Sequence, residues 1–190
     1  MVSKKLLIFL VFPTLFFSQE KKLSADFDGD KIADKLYLNS ENGAVVYELS
    51  SQKFKKVSSD EFVDSGDIFL YKIKNGFKIN LNQMRASNSY QFRYEKETKK
   101  MRLIGMEREE FGPASNDGSG NSSVNLLTNS YIGDWNYFDE TKIKLVKIPT
   151  IKKKMVLPKA YFGKLGNVFS TYIDQDMKYY LAEKERLYKQ

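Results

Sequence analysis

The stretch Ile68–Asn82, IFLYKIKNGFKINLN, decides the fold class. Apolar and polar residues alternate over Tyr71–Lys74 and again over Phe77–Asn82, the period of a half-buried strand and not the 3.6-residue period of a helix. Asn75-Gly76 at its centre is a strong hairpin signal. A two-residue Asn75-Gly76 loop would set Lys74 against Phe77 and Lys72 against Ile79, mixing charge with core. A three-residue loop, Lys74-Asn75-Gly76, sets Ile73 against Phe77, Tyr71 against Ile79 and Phe69 against Leu81. That is the predicted register, with Lys72, Lys78, Asn80 and Asn82 facing solvent.

The same period extends over much of Lys35–Phe111. Lys35–Asn39 and Ala44–Ser50 flank Asn42-Gly43. A two-residue loop there pairs Leu38 with Tyr47 and Leu36 with Leu49, and places Tyr37 and Glu48 on the other face. Tyr90–Glu95 and Met101–Glu107 read as a third hairpin around Lys96–Lys99. Tyr90, Phe92 and Tyr94 meet Gly105, Leu103 and Met101. Ser123–Thr128 and Tyr131–Phe138 read as a fourth, around Asn129-Ser130. Consecutive hairpins with short turns make a meander. Asp174–Gln190 reads as a helix with Met177, Tyr180, Leu181, Leu187 and Tyr188 on one stripe. The expected fold is mainly β: an antiparallel meander of hairpins opened by an acidic loop and closed by a C-terminal α-helix.

Composition narrows the chemistry. The 190 residues include 31 Lys+Arg and 24 Asp+Glu, a formal charge of +7, with no Cys and no His. Disulfides, zinc fingers, thiol nucleophiles and His-based triads are excluded. A Gly-x-Ser-x-Gly elbow is also absent. Any metal must be held by oxygen, which favours hard cations.

The first 18 residues read as a secretory signal peptide. Lys4 and Lys5 precede the apolar run Leu6–Phe17, and Ser18-Gln19-Glu20 turns polar. Twelve helical residues rise about 18 Å, short of the roughly 30 Å hydrocarbon core. Cleavage is expected after Ser18, leaving one β-rich domain over 19–190 (acidic loop 26–34, meander 35–138, basic segment and helix 139–190). A periplasmic or extracellular location follows. No later segment reaches transmembrane length, and export makes nucleic acid an unexpected partner; a protein or a glycan is expected instead.

One constellation carries chemistry. Asp26-Phe-Asp28-Gly-Asp30-Lys-Ile32-Ala-Asp34 places carboxylates at relative positions 1, 3, 5 and 9. Alternate residues of a tight loop can turn their oxygens to one centre, and the Ile32 carbonyl at position 7 adds another. Ca²⁺ takes six to eight oxygens at roughly 2.3–2.6 Å, and this spacing supplies most of them. Without a cation, a like-charge pair at ~5 Å and an effective dielectric near 20 costs about 3 kcal/mol. The EF-hand pattern does not fit: Tyr37 stands where it needs Glu, and a strand follows. The competing reading is a polar loop with Asp-Gly turn chemistry alone.

At these residues the sequence resembles the calcium loops of FG-GAP and VCBS-type repeats, D-x-D-G-D-G-x-x-D entering a β-strand. The resemblance covers the loop and the hairpin that follows it, about 25 residues of the chain. It implies structural Ca²⁺ held by Asp26, Asp28, Asp30 and Asp34, with Ile32 lending its carbonyl. Lys31 occupies the motif's second glycine, where a left-handed backbone strains Lys by about 1 kcal/mol. The chain carries one strong copy, so the repeat family's propeller is not expected here.

Other candidates read more plainly. Asp117, Ser119 and Asn121 in the loop Gly112–Ser122, with Asn125 beyond it, repeat the 1, 3, 5, 9 spacing with one carboxylate. Asn121-Ser122-Ser123 matches a glycosylation acceptor. Glu107, Glu109 and Glu110 could supply an acid/base pair but read as exposed strand charges. Phe111, Tyr131, Trp135, Tyr137 and Phe138 read first as core packing. Lys142, Lys144, Lys147 and Lys152–Lys154 read as a solvated basic face. The expected function is a non-catalytic binding or interaction module. The alternatives are an envelope inhibitor or immunity-type protein acting through aromatic and basic surface, and a polysaccharide hydrolase.

Overall fold

The computed structural model describes residues 22–63 and 66–189. The expected signal peptide lies outside the described residues. Strands β1 (Lys22–Ala25), β2 (Asp34–Leu38), β3 (Val45–Leu49) and β4 (Lys55–Ser59) form an antiparallel sheet in chain order. A second antiparallel sheet takes β5 (Asp67–Ile73), β6 (Gly76–Asn82), β7 (Ala86–Glu95), β8 (Lys100–Glu110), β9 (Gly120–Asn125), β10 (Ser130–Asp139) and β11 (Lys144–Lys147), again in order. A final strand, β12 (Ile151–Lys154), pairs with the first half of β10 while β11 pairs with its second half. Pro149 separates the two, since it has no N–H to continue a ladder. The fold is thus mainly β, a meander closed by helix α1 (Val168–Tyr188).

Alternation marks the strands, but the registers differ from the predicted ones, and in the strand after the first sheet the inward face is the opposite of the expected one. Asn39 and Ala44 close the first hairpin, so Leu36 pairs with Tyr47 and Leu38 with Val45. The loop is four residues long, not two. A shift of two preserves the faces: Leu36, Tyr47 and Leu49 are buried, while Tyr37 donates to Glu48 on the other side at 2.8 Å.

In the second hairpin Ile73 pairs with Gly76, Lys72 with Phe77 and Leu70 with Ile79. The turn is Lys74-Asn75, and Asn75 rather than Gly76 takes the left-handed conformation, at φ 53°. Gly76 is needed inside β6, because a Cβ there would stand 1.9 Å from the Phe92 carbonyl oxygen. Ile68 and Leu70 therefore face inward, while Phe69 and Tyr71 face outward.

In the third hairpin Tyr94 pairs with Met101 and Phe92 with Leu103 as predicted. A β-bulge between Gln91 and Phe92 then moves Tyr90 opposite Met106 and leaves Gln91 opposite Gly105. In the fourth, Asn125 pairs with Ser130, giving a four-residue loop.

One core joins the sheets and the helix. Tyr47 from β3 lies against Phe77 from β6 and Phe162, with ring centroids 6.0 and 5.1 Å apart. Phe62 meets Tyr90 at 5.2 Å. The helix begins earlier than Asp174 because Val168 and Tyr172 complete this core. Thr171 and Ser170 hydroxyls bond the Asn167 carbonyl in its first turn, where such bonds compete least with the helix. Its buried row is Val168, Tyr172, Asp176 and Tyr180. Of the predicted stripe only Tyr180 is buried; Met177, Leu181 and Tyr188 are exposed, and Leu187 packs at the margin. The concave partner is the aromatic row of β10. Tyr131 meets Tyr179, Trp135 meets Tyr180 and Tyr137 meets Tyr188 at centroid distances of 5.1, 6.1 and 5.2 Å.

Candidate metal centre

The acidic loop joins β1 to β2, and Phe27 anchors it. This side chain is fully buried and sits edge-on to Phe77 at 5.7 Å, so its neighbours Asp26 and Asp28 turn the other way. Asp26 accepts from the Gly29 N–H at 2.6 Å and the Lys31 N–H at 3.0 Å. Those bonds hold the loop in two left-handed steps, Gly29 at φ 88° and Lys31 at φ 71°. The glycine adopts this freely; the lysine is the strained position that its sequence predicts.

Asp34, at the first residue of β2, is fully buried. It accepts from the Phe27 N–H at 2.7 Å, the Ser50 N–H at 2.7 Å and the Ser50 hydroxyl at 3.0 Å. Asp28 is nearly buried and accepts from the Asp30 N–H and the Ser51 hydroxyl. Both serines come from the 3₁₀ turn Ser50–Gln52 after β3. Carboxylate oxygens of Asp26, Asp28 and Asp34 all lie within 4.8 Å of one another. A carboxylate oxygen has two lone-pair directions; Asp26 and Asp28 carry one donor on each oxygen and Asp34 one on Oδ2, which leaves room for a cation, while Asp34 Oδ1 takes both Ser50 donors.

Asp30 falls outside that trio. Its carboxylate takes the Ile32 N–H at 2.8 Å and the Ser50 hydroxyl at 2.7 Å, the same hydroxyl that reaches Asp34. The Ile32 side chain is exposed at the loop surface. Electrostatics divides the trio. Burial pushes the Asp28 carboxyl above the usual range, and the Asp34 charge adds to this against the Ser51 hydrogen bond. The Gly29 N–H holds Asp26 below it.

The second acidic spacing is built differently. Asp117 accepts from the Phe138 N–H at 2.8 Å, and both its oxygens accept from the Lys184 ammonium, at 3.0 and 3.1 Å, which ties the loop to the helix. Burial raises its pKa, but Phe138 and Lys184 together hold it below the ordinary value. Of the aromatic cluster, Tyr131, Trp135 and Tyr137 are core and Phe111 is exposed. Lys144, Lys152, Lys153 and Lys154 lie exposed on the last two strands.

A polar centre between helix and sheet was not legible from local pattern. Asp176 is fully buried and paired with Arg108 from β8 at 2.7 Å. Its other oxygen accepts the Tyr131 hydroxyl and the Trp135 indole N–H, the latter at 3.2 Å. The Arg108 guanidinium lies 5.3 Å from the Trp135 ring centroid. Burial, together with the Asp176 charge, pushes the Tyr131 hydroxyl well up. Gly133 makes this possible, since a Cβ there would stand 2.2 Å from the Tyr131 hydroxyl. The signal in the sequence was an aspartate midway between Tyr172 and Tyr180 on an i, i+4 row.

No family model matches this chain, and no solved structure matches it. Among curated proteins, Glucosyltransferase-S of Streptococcus mutans is 39% identical over 74 residues. The match takes in 37% of this chain and 5% of that protein, so the chain spans only a small fraction of that relative's length. Among the described residues, no helix is long and apolar enough to cross a membrane.

Proposed function

We propose that the chain is an exported, periplasmic or extracellular binding module of FG-GAP-like loop chemistry, non-catalytic, with a structural Ca²⁺ at Asp26, Asp28, Asp30, Ile32 and Asp34. The observation that carries the reading is the approach of three carboxylates, from Asp26, Asp28 and Asp34, to within 4.8 Å. An oxygen-only donor set of this charge suits a hard divalent cation. The ion would sit where β1, β2 and the Ser50–Gln52 turn meet, so it would fasten the first sheet rather than face a substrate. Ile32 takes its place in the ligand set through its backbone carbonyl, and Asp30 through a small turn of its carboxylate away from Ser50.

Calorimetric titration with CaCl₂ tests this directly. The wild-type protein is expected to release or absorb heat with a one-to-one endpoint and to melt higher in calcium. At a hundredfold excess over the dissociation constant the linkage is about 2.7 kcal/mol. Asp28→Ala is expected to abolish both effects. Absence of heat in the wild-type protein removes the ion from the account.

A further inference from the structure

Thr141–Ile173 carry eight lysines and no Asp or Glu. The fold sets five of them along one border of the second sheet. β11 and β12 both pair with β10, whose other side is taken by β9, so together they form one edge, interrupted at Ile148-Pro149-Thr150. Buried Ile148, Ile151 and Met155 anchor this edge to the core, and Lys144, Lys147, Lys152, Lys153 and Lys154 are what it presents to solvent. None of these five takes part in an ion pair among the described residues. Lys142, by contrast, is held by the buried Asp139 at 3.1 Å. Two acids stand beside the edge: Asp134, which accepts the Thr150 hydroxyl at 2.6 Å, and the exposed Glu140. Glu107 and Glu109 lie on β8, beyond β9. The border therefore keeps a net positive charge.

Exposed aliphatic side chains accompany the cations. Tyr131, Trp135 and Tyr137 point into the core, so Ile132, Asn136 and Phe138 face out, and Lys152, Lys147 and Leu145 opposite them face out as well. Ile132 and Leu145 are more than 40% exposed. At one end of the edge Ile143 is 80% exposed, and at the other Val156 is 62% exposed. β10 spans 10 residues, so the border between them is about 30 Å long. Ile143 stands at φ 50°, a left-handed conformation that β-branched residues rarely adopt. Asp139 builds the turn that puts it there, accepting from the Thr141 N–H, the Thr141 hydroxyl and the Lys142 N–H at 3.1, 2.6 and 3.1 Å. A strained apolar tip gains nothing from standing in water.

The mixture of cations and aliphatics selects the occupant. Lysines on an exposed edge also deter strand addition by other chains. Exposed aliphatics work against that task, so it does not account for Ile143 and Val156. A soluble polyanion would pair with the ammonium groups but leave both aliphatic ends in water. An anionic bilayer meets both demands: its headgroup phosphates attract the lysines, and the boundary beneath them takes up the aliphatic side chains. Lysine stems suit this placement, since their methylenes lie along apolar surface while the ammonium reaches the headgroups.

We infer that the β11–β12 edge docks the protein on an anionic lipid surface. The test is co-sedimentation with vesicles of equal parts phosphatidylglycerol and phosphatidylcholine, against vesicles of phosphatidylcholine alone, using protein recovered from an exporting cell. EDTA in the buffer excludes calcium bridging and keeps this test separate from that of the acidic loop. Binding is expected to the mixed vesicles, to fall in high salt, and to be absent on phosphatidylcholine alone. Lys147→Gln, Lys152→Gln and Lys154→Gln together should weaken it by about a hundredfold. Lys55→Gln, Lys56→Gln and Lys72→Gln, also exposed, remove the same charge elsewhere and should stay within about threefold of wild type, because charges beyond a Debye length are screened. Ile143→Gly should weaken binding about fivefold without lowering the melting temperature, since glycine takes this backbone conformation freely. Absence of binding to the mixed vesicles overturns the inference, as does equal binding to phosphatidylcholine. So does equal weakening by the two lysine sets, which would reduce the effect to net charge. Full binding by Ile143→Gly, or binding to dextran sulfate but not to vesicles, overturns the lipid assignment in favour of a soluble polyanion.

Discussion

Among the described residues Asp34 and Asp176 are the two fully buried carboxylates, and each holds distant parts of the chain through its oxygens. Asp34 gathers Phe27 and Ser50; Asp176 gathers Arg108, Tyr131 and Trp135. Phe27, Tyr131 and Trp135 are buried donors, so removing the acceptor costs more than the bonds themselves. Asp176→Asn keeps the shape and removes the charge, leaving Arg108 with only Glu110 at 3.1 Å. A loss of about 3 kcal/mol is expected, read as a lowered urea midpoint at unchanged slope. Asp28, Asp26 and Asp30 were legible as a set because their spacing is local. Asp176 was not, because its partners lie 41 to 68 residues away.

At the scale of elements, turn residues predicted where hairpins lie, and alternation predicted the faces of strands such as β2 and β6 but not of β5, where the run Ile68–Tyr71 is apolar on both faces and Phe69 and Tyr71 turn outward. Register was decided elsewhere. Asn75-Gly76 reads as a turn pair, yet Gly76 belongs to β6, where the β7 backbone passes too close for any side chain. Gly76→Ala is therefore expected to cost roughly 3 kcal/mol, checked by chemical denaturation, although its φ is ordinary for alanine. The helix shows the same division. Its existence was legible from periodicity, but not which stripe is buried. Met177 and Leu181 are as apolar as a core stripe requires and remain exposed, because β10 presents tyrosines and a tryptophan to the neighbouring row.

At the scale of the molecule, the segment between β12 and the helix is fastened back onto the β7–β8 hairpin. Glu95 is the fastening point, reached by Lys159 at 2.7 Å, Tyr161 at 2.8 Å and Arg102 at 3.3 Å. The Lys159 ammonium first, then the Tyr161 hydroxyl, hold the Glu95 carboxyl down from the usual 4.5 to about 2. A lowered folded-state pKa gives stability that is complete above the unfolded value and lost as pH falls through the folded one. The gap in urea midpoint between wild type and Glu95→Gln should be constant above about pH 4.5 and close as the pH falls toward 2. A gap that persists below pH 2 would assign the effect to packing instead.

By itself the sequence determined the local quantities: the faces of the strands that alternate cleanly, hairpin positions, a terminal helix, an oxygen-only acidic loop and the strained lysine within it. Each depends on residues a few positions apart, whose geometry the backbone period dictates. Only the tertiary structure decided the registers, the buried row of the helix and the Asp176 centre. Those arise where segments far apart in the chain must share one close-packed space, and steric fit there outranks local preference.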